Sequence, residues 1–227
     1  MSIHLVKGAK SLKRSLLNVL LVIVGAIGAI VVLIVISTIT GHPVFGDGGV
    51  DQQRPTAEAN NTDLVSLSYT VLGYIKNENY DALSHIAHPE FGVVFSPDAT
   101  VALTTNKCFQ ADQIAAFGSD NTVYVWGIQS GVGEPIEMTA ADYLKEYVFS
   151  KDYLNAPIIG INRIVKSGNA LENITDVFPK VKFVDFHIPG SERDSAEDFG
   201  WTSLRLGFEE YEGKLWLTLI LTSKWTV

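Results

Sequence analysis

One stretch constrains this chain more than any other. From Ser15 to Ile39 there is no charged residue, and apolar side chains dominate throughout. As a helix the run would cover roughly 35 Å, enough to cross a hydrocarbon core of about 30 Å with some tilt. Lys7, Lys10, Lys13 and Arg14 precede it, and no acid occurs before residue 41. Basic residues beside a span stay cytoplasmic, so residues 1–14 are expected inside and everything after the span outside. A cleaved signal peptide is the rival reading. It would have a shorter apolar region and a small-x-small site, whereas the run here is long and Ser37-Thr38-Ile39-Thr40-Gly41 is a poor cleavage site. No cysteine stands directly after the span to accept a lipid anchor. The expected layout is a basic tail (1–14), a transmembrane helix (15–39), a flexible linker (40–61) and one extracytoplasmic domain (62–227).

The linker assignment rests on punctuation without periodicity: Gly41, His42-Pro43, Gly46-Asp47-Gly48-Gly49 and Arg54-Pro55. Four of the 17 bases lie in the tail and none of the 25 acids does, so the rest of the chain carries a net −12. Such a domain repels phosphate backbones, which argues against a nucleic-acid partner. The single cysteine, Cys108, rules out an internal disulfide and is expected to be a small buried residue.

In the domain, Leu64, Leu67, Val71, Leu72 and Ile75 fall at helical spacing, with Asn61 or Thr62 as cap and Asn77-Glu78-Asn79 as the break. Tyr80 to Ala87 reads as a second helix. Phe91–Phe95 and Thr100–Thr104 read as a hairpin, and Thr139 with Asp142 as a helix start. The last third reads as sheet. Val181–Ile188 is followed by a long hairpin, Trp201–Tyr211 and Lys214–Thr226, turning at Glu212-Gly213. Leu215, Leu217, Leu219 and Leu221 alternate with Trp216, Thr218, Ile220 and Thr222, the pattern of a central strand covered on both faces. The fold class is therefore α+β: an N-terminal transmembrane helix, then one domain of N-terminal helices packed on a curved antiparallel sheet.

Several local sequences resemble a bacterial cell-envelope family whose members are often lipoproteins. They are His88-Pro89-Glu90-Phe91-Gly92-Val93-Val94-Phe95-Ser96-Pro97, Trp126-Gly127 with Gly131, Gly133-Glu134-Pro135-Ile136, and Trp201 with Ser203-Leu204-Arg205-Leu206 and Phe208. The resemblance covers about residues 63–227, and the helix anchor departs from the lipoprotein pattern. The element order is similar to the nuclear transport factor 2-like (cystatin-like) superfold, which hosts enzymes, ligand binders and scaffolds alike. On this resemblance His88, Glu90, Trp126, Glu134, Trp201 and Arg205 are the expected ligand or partner surface.

Candidate chemistry is sparse. His85, His88 and Glu90 could offer metal ligands, but Pro89 interrupts them and a capping or buried histidine fits the spacing better. The glycine loop around Gly131 and Gly133 lacks the lysine and the strand–turn–helix context of a phosphate cradle, so no cofactor is expected. Asp185 and His187 stand at i and i+2 on one strand and share a face. In an apolar cavity they would form an acid–base pair, as an isomerase or hydratase needs. The Val184, Phe186 and Ile188 side is more apolar and should meet the helices, which sends Asp185 and His187 towards solvent or a partner. Two readings stay open. One is an anchored module that binds an envelope protein or small ligand, resembling in layout the bridging subunit of type IV secretion machines. The other is an enzyme built on Asp185 and His187.

The basic tail yields a topology test. A membrane-impermeant protease added to cells stripped of their outer barrier should remove residues 41–227 and leave the span; full protection of the domain would reverse the orientation.

Overall fold

The computed structural model describes residues 57–129, 132–190 and 200–225. The basic tail, the apolar run 15–39, residues 40–56, Gly131 and residues 191–199 lie outside the described residues. Among those described, no helix is long and apolar enough to cross a membrane.

Helix α1 spans Ala57–Lys76. It begins before the expected cap and takes in the end of the stretch read as linker, because Ala57, Glu58 and Ala59 are strong helix formers with an acid in the first turn. Leu64, Val71, Leu72 and Ile75 are buried along one face, and Leu67 packs at its margin. The helix stops where Glu78 takes a positive φ of 53° and the Asn79 N–H reaches back to the Tyr74 carbonyl at 2.9 Å. The Asn79 side chain then accepts from the Ala82 N–H (3.1 Å) and caps α2, Tyr80–Ser84.

The main sheet has six strands: β1 (Val93–Ser96), β2 (Lys107–Phe109), β5 (Ile158–Ile161), β6 (Lys182–Ile188), β7 (Thr202–Tyr211) and β8 (Lys214–Lys224). Their order is β2-β1-β8-β7-β6-β5. The fold is α+β as expected, but the sheet is mixed rather than antiparallel, because β1 runs parallel to β8. The chain is already aligned with β8 before β1 begins: His88 N–H donates to Leu217 O (2.9 Å) and Leu217 N–H to Ile86 O (2.8 Å). Thr100–Thr104 forms no strand. Both backbone groups of Val101 are bonded to the Asn173 side chain, at 2.7 and 2.9 Å, and β2 is the strand that returns beside β1. Between β2 and β5 lie α3 (Ala111–Ala115) and a separate ribbon of β3 (Tyr124–Ile128) and β4 (Pro135–Met138). After the ribbon comes α4, Ala140–Asp142, which continues as a π-helical turn over Tyr143–Val148. The Thr139 hydroxyl accepts from the Asp142 N–H at 3.2 Å, the cap its spacing implied.

Strand β8 is buried on both faces, as its pattern required. Helix-side packing joins Leu64, Leu72, Phe95, Val184, Phe186, Leu204, Leu206, Phe208 and Ile220. The opposite face is a second, smaller cluster of Val94, Phe183, Leu219 and Leu221, covered by Ile174 and Phe178 at the two ends of α5 (Ile174–Val177). The simple alternation of the leucines fails at one point. Gly207 pairs with Leu219 but Phe208 pairs with Leu217, so Thr218 is an extra residue and the strand changes parity there. Leu217 therefore joins the helix-side core, while Leu219 and Leu221 face the other way.

At the hairpin tip Glu212 (φ 51°) and Gly213 (φ 73°) are both left-handed, the signature of a type I′ turn. A Cβ at Gly213 would meet no atom within 4 Å, so any penalty there is backbone strain alone. Gly213→Val should lower stability by about 1–2 kcal/mol, and Glu212→Asn should raise it by about 0.5 kcal/mol, because asparagine tolerates positive φ. Thermal unfolding checks both signs.

Candidate functional site

The register of β6 against β7 brings the polar residues of the second face together. Asp185 stands directly opposite Arg205, and His187 opposite Ser203. On the other side of Asp185 lies Gly160 of β5. A side chain at Gly160 would collide with the Arg163 carbonyl, so the glycine lets residues 162–165 fold back over the sheet. That return carries the Val165 N–H to Asp185 Oδ2 at 2.9 Å. Arg205 Nε donates to the same oxygen at 3.0 Å, and Nη2 donates to the Lys166 carbonyl at 3.1 Å. The guanidinium fork closes on Glu172, with Nη2 on Oε1 at 3.0 Å and Nη1 on Oε2. Arg205 and Asp185 are fully buried, and the Glu172 side chain is 14% exposed. Asp185 Oδ1 is also buried and has no hydrogen-bond partner among the described residues.

His187 Nδ1 is 2.9 Å from Ser203 Oγ, and its ring leans on Trp201 at 5.6 Å between centroids. Serine, histidine and aspartate thus share one face, and a serine–histidine bond is the geometry of an activated nucleophile. All three are at most 3% exposed, so a substrate could reach Ser203 only if the covering segment moved. This corrects the expectation that Asp185 and His187 look towards solvent or a partner. The choice of face is as expected, since Val184 and Phe186 do meet the helices. Residues 162–178 of the same chain fill the place assigned to solvent. Open grooves of about 460 Å³ beside Asp63, Thr70 and Lys214, and about 730 Å³ beside Val65 and Ile161, are lined by neither Asp185 nor His187.

The six residues expected at a ligand surface are dispersed by burial. Arg205 and Trp201 belong to the covered face just described. Trp126 is completely buried in the helix-side core, where it stacks on Tyr143 at 3.7 Å and bonds the Met138 carbonyl through Nε1 (3.0 Å). Burial pushes the Tyr143 hydroxyl well above its usual range. Burial and Asp98 push Tyr147, stacked next in line, up to about 12. His88 is buried and works as a cap: its Nδ1 accepts from the Glu90 and Phe91 N–H groups at 3.3 and 3.1 Å. Glu90 is exposed and accepts from the Tyr211 hydroxyl at 2.9 Å, beside the His88 ring. Glu134 is exposed between β3 and β4. Among the described residues no three His, Cys, Asp or Glu side chains gather to hold a metal. Cys108, expected inside, is exposed on edge strand β2, its Sγ 3.3 Å from the Phe91 carbonyl. It sits outside because Phe109, its neighbour, takes the inward position.

Glu172 was missed in the sequence. The available signal was Arg205 itself, a charge between Leu204 and Leu206 in a strand otherwise apolar around it, which demands a counter-ion from a distant segment. No model of a known protein family, no curated protein and no solved structure matches this chain.

The network predicts a specific mutational pattern. Arg205→Met strands the Asp185 and Glu172 carboxylates and should cost about 3–5 kcal/mol, while the triple variant Glu172→Leu/Asp185→Leu/Arg205→Met should recover most of that loss. Denaturant midpoints of the two variants measure the difference.

Proposed function

We propose that the chain is a membrane-anchored extracytoplasmic domain that acts by binding or scaffolding within the cell envelope, not by acid–base chemistry. The reading takes residues 15–39 as the anchor and residues 1–14 as its cytoplasmic flank. It takes the domain as a member of the nuclear transport factor 2-like superfold, and two helices, then a strand, then a late sheet support that assignment. One observation carries the functional half. Asp185 Oδ2 already accepts from Arg205 and from the Val165 N–H, and the whole carboxylate is shut off from solvent under a filled layer. Its role is to hold residues 162–173 against the sheet. A domain built this way offers a partner its outer surfaces: the apolar side chains of Val123, Val125 and Ile128 along β3, and the exposed strand β5.

Complementation separates the two readings. In cells lacking the protein, the triple variant Glu172→Leu/Asp185→Leu/Arg205→Met should relieve the deletion phenotype, whereas a chain without residues 1–39, exported by an unrelated leader, should not. Loss of function in the triple variant at normal abundance and membrane location would return the enzyme reading.

A further inference from the structure

Strand β5 ends the sheet, and among the described residues no strand pairs with its outer edge. Asn162 N–H donates to Phe183 O at 2.8 Å, and the Asn162 side chain accepts from the Phe183 N–H at 2.9 Å. Residues 162 and 183 are therefore a hydrogen-bonded pair, and by alternation so are Gly160 with Asp185 and Ile158 with His187. The N–H and C=O groups of Ile159 and Ile161 consequently point away from β6, along the free edge. The side chains beside this edge are apolar: Ile158 and Ile161 are 41% and 39% exposed. From Tyr153 to Asn162 there is no charged residue. Asn61, Thr62, Val65 and Ser66 of α1 form with Ile161 an uncharged groove of about 730 Å³ above the edge.

We propose that this edge pairs with the same edge of a second copy of the chain, joining two six-stranded sheets across a two-fold axis at Gly160. The outward groups are self-complementary. Ile159 of one copy exchanges both bonds with Ile161 of the other, and Ile161 with Ile159. Gly160 meets Gly160 at the narrow, non-bonded position, where Cα atoms approach to about 4.5 Å and no side chain obstructs. Helix α1 packs against β6, so the two α1 helices would stand three strand spacings apart, about 14 Å, against about 10 Å for direct helix packing. Ile161 and Val65 of both copies fill the difference. Symmetry selects a second copy as occupant: the outward groups complement themselves, and no charge lies between Tyr153 and Asn162 to repel its own copy, the exposed Arg163 standing just beyond the paired residues. The opposite edge is guarded in the usual way, by a three-residue strand bearing Lys107. Edge β5 has no charge within its four residues, and Pro157, which lacks an N–H, and Arg163 bound the pairing register.

The test uses the full chain in detergent, and it does not depend on the anchor proposal, which membrane fractionation checks separately. Sedimentation should give a dimer whose fraction rises with concentration. Hydrogen exchange at the Ile159 and Ile161 amides should slow at least tenfold as the dimer forms. Ile161→Pro removes only an outward N–H and should leave a folded monomer. Ile161→Lys, which keeps the backbone and puts charge in the groove, should do the same, while Ile161→Val stays dimeric. A monomer at every concentration overturns the proposal. So does a dimer that survives both Pro and Lys, since it would pair elsewhere. Amide protection that appears only with a different envelope protein also overturns it.

Discussion

Arg205 is a full charge in the middle of a sheet whose central strand is buried on both faces. Its placement fixes what must lie above it. The sheet itself supplies only one counter-charge, Asp185, directly across from it. The remaining donors of the guanidinium need acceptors from another layer, and residues 162–173 bring the Lys166 carbonyl and Glu172. The cover over the second face is thus held by hydrogen bonds at its centre and by Ile174, Phe178 and Phe183 at its side.

Much of the fold was legible because it rests on local signals. The spacing of Leu64, Val71, Leu72 and Ile75, the stop at Asn77-Glu78-Asn79, the cap at Thr139 and the turn at Glu212-Gly213 each follow from rules spanning a few residues. The double-sided burial of β8 was equally visible in its leucines. What was not legible depends on distant pairing. The parallel partnership of β1 with β8 is fixed by contacts between residues more than a hundred positions apart. The parity change at Thr218 leaves no mark in composition, since leucine continues on both sides of it.

The site was legible in part, for the same reason. That Asp185 and His187 share a face follows from the period of a strand. That the face is closed does not, because the sequence reads 158–165 as one continuing strand and 171–178 as a short helix, and nothing local in either turns residues 162–173 back over the sheet. The expected surface residues misled through their type. Tryptophan, histidine and arginine in distinctive local sequences look like binding groups. Here Trp126 fills the core, His88 caps the turn before β1, and Arg205 ties down a cover. Each is distinctive because a structural role demands that one side chain.

A buried arginine between two carboxylates is a poor source of stability, because desolvation offsets most of the attraction. Its value lies in register. Side chains alternate along a strand, so sliding β7 by one residue against its neighbours would turn Arg205 into the layer now filled by Leu204, Leu206 and Phe208. There it would meet no acceptor, and the cost would be several kcal/mol. Leucine and phenylalanine on both sides of the sheet could not impose that penalty, since either face would accept them. The extra residue at Thr218 raises the need. A bulged strand already permits two parities, and Arg205, lying on β7 opposite Leu221, allows one alone. The charge that looked like a functional group is therefore what makes an otherwise symmetric, two-sided sheet choose a single alignment.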